Sequence, residues 1–138
     1  TGIALSNNCI TVSGIDTTSS TIRSYEYSSC GAIKKDTKPN FCAACVDVVS
    51  LNSNTAYISY KNNSRIHAPK LDTSYKSFTG TSISAAYVAG LCALLFERNP
   101  NFTFDDILSL LKVAAVPLDL PKNQQGEGKI DITKVLQQ

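Results

Sequence analysis

Methionine and tryptophan are absent from this chain, and histidine occurs once, at His67. Acid–base chemistry near neutral pH therefore has a single imidazole to draw on. Charge is sparse as well. Charged residues make up 17%, and 13 Lys and Arg against 11 Asp and Glu leave a formal net charge of +2. So small an excess argues against a phosphate-tracking surface, and with it against a nucleic-acid partner. Long apolar runs are missing. The longest, residues 85–96, is interrupted by Gly90 and falls well short of the roughly 20 residues a membrane helix needs. Residues 1–20 have no basic start followed by an apolar stretch, so they do not read as a signal peptide. There is no internal repeat and no low-complexity tract. With no methionine and a start at Thr1, the chain fits either a trimmed initiator or a piece of a longer polypeptide.

What is present suits a packed domain. The 138 residues are 43% hydrophobic, enough for one core or for part of a larger one. Residues 9–13 (CITVS) read as a strand running into Gly14, Ile15 and Asp16. Residues 21–27 (TIRSYEY) alternate and suggest a second, half-buried strand. Residues 28–40 form a Lys-rich loop in which Lys34, Lys35 and Lys38 read as solvated. Residues 46–51 and 56–60 suggest two strands joined as a hairpin through Asn52, Ser53, Asn54 and Thr55. Residues 82–98 have apolar side chains on nearly every side, which predicts a helix in the centre of a domain rather than on its rim. A second helix is announced by Thr103 as cap, Asp105 and Asp106 in the first turn and an apolar face from Ile107 to Leu111. Gly126 to Leu136 reads as a Gly-punctuated turn followed by a short terminal helix. Asn62 and Asn101 begin glycosylation sequons, of use only in a secreted eukaryotic protein.

Chemistry concentrates in residues 78–90 (FTGTSISAAYVAG). Gly80 allows a tight backbone approach, and Thr81 and Ser82 follow where the buried helix begins. A serine there has its hydroxyl at the positive end of the helix dipole, beside backbone N–H groups without intrahelical partners. Such donors can stabilise an oxyanion during acyl transfer. The plainer alternative is that Ser82 is the helix N-cap.

Residues 80–95 (GTSISAAYVAGLCALL) resemble the serine motif of subtilisin-like proteases, where G-T-S precedes a buried helix ending in A-L-L. Other segments follow in that family's order. Residues 10–16 resemble its strand before a V-G-x-x-D turn, and residues 24–31 its F-S-x-x-G edge. His67, Ala68 and Pro69 resemble its A-P-G approach to the serine loop. Residues 99–115 are similar to its next helix, and residues 126–131 (GEGKID) to its G-x-G-x-I turn. The resemblance implies an α/β, three-layer subtilisin-like fold with a parallel sheet. It implies a serine endopeptidase working through an acyl-enzyme on Ser82, with Gly80, Thr81 and Ser82 as the serine and oxyanion loop and no cofactor. The family's Asp, His and oxyanion Asn motifs lie upstream of anything found here. Asp16 matches only the turn after a strand, and His67 lacks the Gly-Thr-His setting of the family's base and reads as structural. Ala86 and Tyr87 replace the family's usual Pro and His.

Residues 1–138 thus read as the C-terminal part of a catalytic domain, with an N-terminal half, as a separate or cleaved chain, as partner. A peptide or protein is the implied substrate, and the resemblance favours an extracellular or cell-surface setting. Two rivals are a pseudoprotease with a binding or regulatory role and a zinc- or disulfide-clamped interaction module.

The second rival rests on the five cysteines. An extra stretch at about residues 31–64, read as a surface insertion, carries Cys42 and Cys45 at C-x-x-C spacing. With Cys9 or His67 they are weak zinc candidates, and with Cys30 they are disulfide candidates. Free thiols are the plainest reading, and Cys92 reads as a small core residue.

Overall fold

The computed structural model describes residues 2–32, 38–54, 60–61, 64–65 and 74–137. A short 3-10 turn, Gly2–Leu5, leads into β1 (Val12–Asp16), which β2 (Arg23–Ser24) follows at the sheet edge. Next come β3 (Phe41–Ala44) and β4 (Val48–Leu51), then the two-residue strands β5 (Tyr60–Lys61) and β6 (Ser64–Arg65). β7 (Tyr75–Phe78) runs into helix α1 (Thr81–Arg98), and α2 (Phe104–Ala114) follows. The chain closes with β8 (Ala115–Val116), α3 (Lys122–Gln125), β9 (Lys129–Ile130) and α4 (Ile132–Leu136).

The main sheet has the order β2-β1-β3-β9-β8. β1, β3 and β9 are parallel, and β2 and β8 pair antiparallel at the two edges, so the sheet is mixed rather than purely parallel. In the β1–β3 register Val12 faces Phe41 and Gly14 faces Ala43. Alternation along the strands turns Phe41 and Ala43 toward α1 and α2, where they join Val88, Leu91, Leu95, Ile107, Leu111 and Ile130 in the core. Ser13 and Cys42 point to the opposite face, where Ser13 Oγ donates to Gln124 O beside α3. Gln125 ties that segment down, with its amide bridging the backbone of Leu118 and Leu120.

α2 begins as its sequence predicts. Thr103 Oγ1 accepts from Asp106 N at 3.2 Å, and the Asp106 carboxylate accepts from Thr103 N at 2.8 Å. These bonds with Thr103 hold the Asp106 carboxyl below its ordinary range. α4 is capped by Asp131, which accepts from Thr133 N at 3.0 Å.

Several expectations change. Only Arg23–Ser24 of the alternating 21–27 segment forms a strand, with Tyr25 N adding one more bond to Gly14 O at 3.0 Å before the chain turns away. β4 pairs with β7, register Val48↔Phe78 to Leu51↔Tyr75, and the hairpin expected between residues 46–51 and 56–60 falls largely outside the described residues. Residues 41–44, assigned from sequence to a surface insertion, form the central strand. Lys34, Lys35, Asn62, His67, Ala68 and Pro69 lie outside the described residues.

Lys38 is not solvated. It is 8% exposed, and its Nζ donates to Cys9 O at 2.5 Å and to Asn40 Oδ1 at 2.9 Å. The same Asn40 oxygen accepts from Thr11 N at 2.8 Å. The ammonium thus ties the entries of β1 and β3 together. Lys38→Met keeps the apolar stem and leaves the Cys9 carbonyl without this donor. Unfolding free energy should fall by about 1–3 kcal/mol, read as a lower denaturant midpoint at unchanged slope.

The helix predicted to be central is covered on one side only. Ser84, Val88, Leu91 and Leu95 are buried against the sheet. Tyr87, Leu94 and Phe96 remain 43%, 44% and 42% exposed. Ala85, Ala86, Ala89, Gly90 and Ala93 lie open among them. The described elements supply a floor for α1 but no roof. No helix of the described residues is long and apolar enough to cross a membrane.

Candidate active site

β7 delivers the chain into Gly80, the N-cap of α1, which makes no side-chain cap hydrogen bond. Ser82 is therefore the second residue of the helix and not its cap, contrary to the plainer reading of the motif. It is exposed, and among the described residues its hydroxyl has no hydrogen-bond partner. Ile83 N donates back to Gly80 O at 2.9 Å. The N–H groups of Thr81 and Ser82 stand in the first turn, where no intrahelical acceptor exists. An exposed hydroxyl and unused donors thus meet at the positive end of an 18-residue helix.

The rotation of α1 is fixed by Ser84. This side chain is fully buried, and its Oγ donates to Ala43 O at 2.8 Å and lies 3.3 Å from Ala44 O. Ser82, two residues earlier, is turned about 200° around the helix axis from Ser84. Pinning Ser84 to the sheet therefore sends the Ser82 side chain outward. Gly80 N adds a second tie, donating to Cys45 O at 2.8 Å. Cys45 Sγ fills the space that Gly14 leaves next to Thr81. The neighbours of Ser82 border two hollows. Thr81 lines one of about 610 Å³ with Val12, Tyr27, Ser28 and Lys38. Ile83 lines another, largely apolar, of about 640 Å³ with Ala44, Val48, Tyr87 and Asp131. Burial raises the Tyr87 hydroxyl pKa, and the Asp131 carboxylate adds to the shift.

Of the cysteine expectations, the plainest one, free thiols, is what the structure shows, and the clamp is not. All five cysteines are free. Cys42 and Cys45 are both buried, and residues three apart on an extended strand point to opposite faces, so neither a disulfide nor a shared metal suits them. Burial pushes the Cys42 thiol up to about 12, against a smaller opposing pull from Lys129, and raises Cys45 as well. Cys30 is exposed, without a disulfide partner. Among the described residues no group of three or more His, Cys, Asp and Glu could hold a metal ion.

His67, Ala68 and Pro69, assigned from sequence to the approach to the serine loop, lie outside the described residues. Among the described residues the loop is held by 43–47, the end of β3 and the turn after it, a contact that sequence reasoning did not foresee. It missed Ser84, because a serine inside an apolar helix reads as neutral filler. It also missed Asp47, whose partners Ser77 and Thr79 lie some 30 residues on. A single polar residue on the face of α1 that otherwise packs on the sheet was the one available signal.

The sequence pattern of the Subtilase family matches residues 3–129. Among curated proteins, the serine protease AprX of Bacillus subtilis is 33% identical over 75 residues, 54% of this chain and 16% of that protein. Kexin of Saccharomyces cerevisiae is 34% identical over 98 residues, 70% of this chain and 11% of that protein. The chain thus spans about a sixth or less of these relatives. Among solved structures, fervidolysin from Fervidobacterium pennivorans, a keratinolytic enzyme, superposes with a TM-score of 0.76 at 23% identity. That likeness covers 99% of this chain and 20% of fervidolysin. MycP1 from Mycobacterium smegmatis gives a TM-score of 0.62 at 25% identity, covering 92% of this chain and 29% of MycP1.

Proposed function

The chain belongs to the subtilase family, and from that premise we propose that it is the serine-bearing, C-terminal portion of a subtilisin-like endopeptidase. A further polypeptide, continuous with it or separate, supplies the Asp, the His and the second oxyanion donor. The observation that carries this reading is the exposed, uncapped Ser82 hydroxyl beside the free first-turn N–H groups of α1.

In the proposed reaction Ser82 Oγ attacks the scissile carbonyl carbon while its proton passes to the supplied histidine. The carbonyl oxygen takes up negative charge and is met by the Ser82 N–H. Collapse breaks the C–N bond, and the histidine proton leaves on the amine, giving an acyl-enzyme ester. Water then attacks that ester through the same base, frees the acid and restores the hydroxyl.

The open side of α1 supports a completing polypeptide. Tyr87, Leu94 and Phe96 on a helix with so few polar residues call for cover. Protein or peptide substrates, met in an extracellular or cell-surface setting, follow from family membership as part of the same proposal.

An alkyl fluorophosphonate tests the reading. With the completing polypeptide present, the probe should form a phosphonyl ester on Ser82, with loss of fluoride, and peptide mapping should locate it there. With this chain alone, labelling should be slower by orders of magnitude. Labelling at the same rate with and without the second polypeptide would count against a supplied base. No labelling with both present would make the protein a pseudoprotease.

A further inference from the structure

The turn between β3 and β4 also holds the serine loop, through Asp47. This residue has φ 52°, a left-handed conformation that costs a residue with a side chain about 1–2 kcal/mol unless local hydrogen bonds support it. Its N–H donates to Thr79 Oγ1 at 3.0 Å. Its Oδ1 accepts from Ser77 Oγ at 3.2 Å, and Thr79 Oγ1 lies 3.5 Å from the same oxygen. Ser77 belongs to β7, and Thr79 adjoins Gly80, the N-cap of α1. Asp47 therefore grips the last residues by which the chain enters the turn bearing Ser82. Cys45 O and Ala43 O grip the same turn from the other side, through Gly80 N and Ser84 Oγ.

A turn that needed only its backbone shape would be served better by glycine, which takes φ near +52° without strain. Asp47 is exposed, so burial gives it no reason to be there. Its side-chain contacts among the described residues go to the two hydroxyls that flank Phe78.

On the reading of Ser82 as nucleophile, we propose that Asp47 is a positioning residue. Its carboxylate and N–H fasten residues 77–79 to the turn between β3 and β4 and so set where the Ser82 hydroxyl meets the substrate carbonyl. Displacing a reacting group by about 1 Å can cost on the order of 100-fold in rate, so a tether on Thr79, the residue before the N-cap Gly80, has leverage on catalysis.

Asp47→Gly and Asp47→Asn separate this role from a structural one, in the protein with its completing polypeptide present. Glycine relieves the backbone and removes the carboxylate. The melting temperature should hold or rise, while the rate of fluorophosphonate reaction at Ser82 falls about 10-fold. Asparagine, which tolerates the left-handed backbone and still accepts hydrogen bonds, should restore the rate to within about twofold. Amide hydrogen exchange at residues 79–82 should quicken in Asp47→Gly and return in Asp47→Asn. Wild-type labelling rate together with unchanged exchange in Asp47→Gly would overturn the proposal. Wild-type protein that never labels at Ser82 would overturn the nucleophile reading, and the exchange measurement would still decide whether Asp47 holds the loop.

Discussion

Replacing Ser82 with alanine should abolish peptide hydrolysis while leaving the fold intact. On the proposed reading the expected loss in kcat is on the order of 10⁶-fold, the size of effect established for removal of the nucleophilic serine in subtilisin. The stability of the variant should stay within about 0.5 kcal/mol of the parent. Ser82 is exposed and takes no part in capping α1, so its hydroxyl contributes little to folding. The combination is diagnostic. Were Ser82 a cap, alanine would cost about 1 kcal/mol of stability and have no reason to erase turnover. Circular dichroism melting alongside turnover of a peptide substrate measures both.

The second large effect is on stability. Gly128→Ala should unfold the protein or lower its melting temperature steeply. Gly128 has φ +124°, and a Cβ there would stand 2.2 Å from Val116 O and 2.5 Å from Val116 C, both backbone atoms. Gly126 has φ +63°, and a Cβ there would stand 2.3 Å from Asn40 O. Neither clash can be relieved by turning a side chain. Gly128 O accepts from Cys42 N at 3.0 Å, so any shift pulls on the central strand that underlies the serine loop. A loss above about 4 kcal/mol places this substitution in the exceptional class. Thermal unfolding of Gly128→Ala against Gly90→Ala checks the cause. A Cβ at Gly90 meets nothing within 4 Å, and alanine favours the helix by about 1 kcal/mol.

These two glycines were legible in the sequence because turn chemistry is local: GEGKI signals a turn by itself. The capping box of α2 was legible for the same reason, with Thr103 and Asp106 three residues apart. The extent of α1 followed from its apolar composition, and its start at Gly80 and Thr81 from the small residues there. What sequence reasoning misplaced depends on partners distant along the chain. β4 takes Tyr75–Phe78, far along the chain, as its partner, and no local signal announces that choice. C-x-x-C spacing suggested a clamp, while Cys42 is a core position of a central strand with its thiol held neutral by burial. Lys38 looked solvated because lysine usually is. Its ammonium is buried only because Cys9 O and Asn40 Oδ1, brought in by two different strands, receive it.

The helix face divides along the same line. Its apolar composition called for cover on all sides, and the described elements bury Ser84, Val88, Leu91 and Leu95 alone. Composition records the environment a helix needs in the assembled protein, and the described residues supply one side of it.

The most direct measurement is a crystal structure of this chain together with the polypeptide that completes its cleft, trapped with a peptidyl phosphonate. It should show phosphorus bonded to Ser82 Oγ, an imidazole nitrogen of the second polypeptide within about 3.2 Å of that oxygen, and the Ser82 N–H turned toward the phosphonyl oxygen. A Ser82 side chain walled off from any groove, or facing no imidazole when both parts are assembled, would contradict the proposed protease.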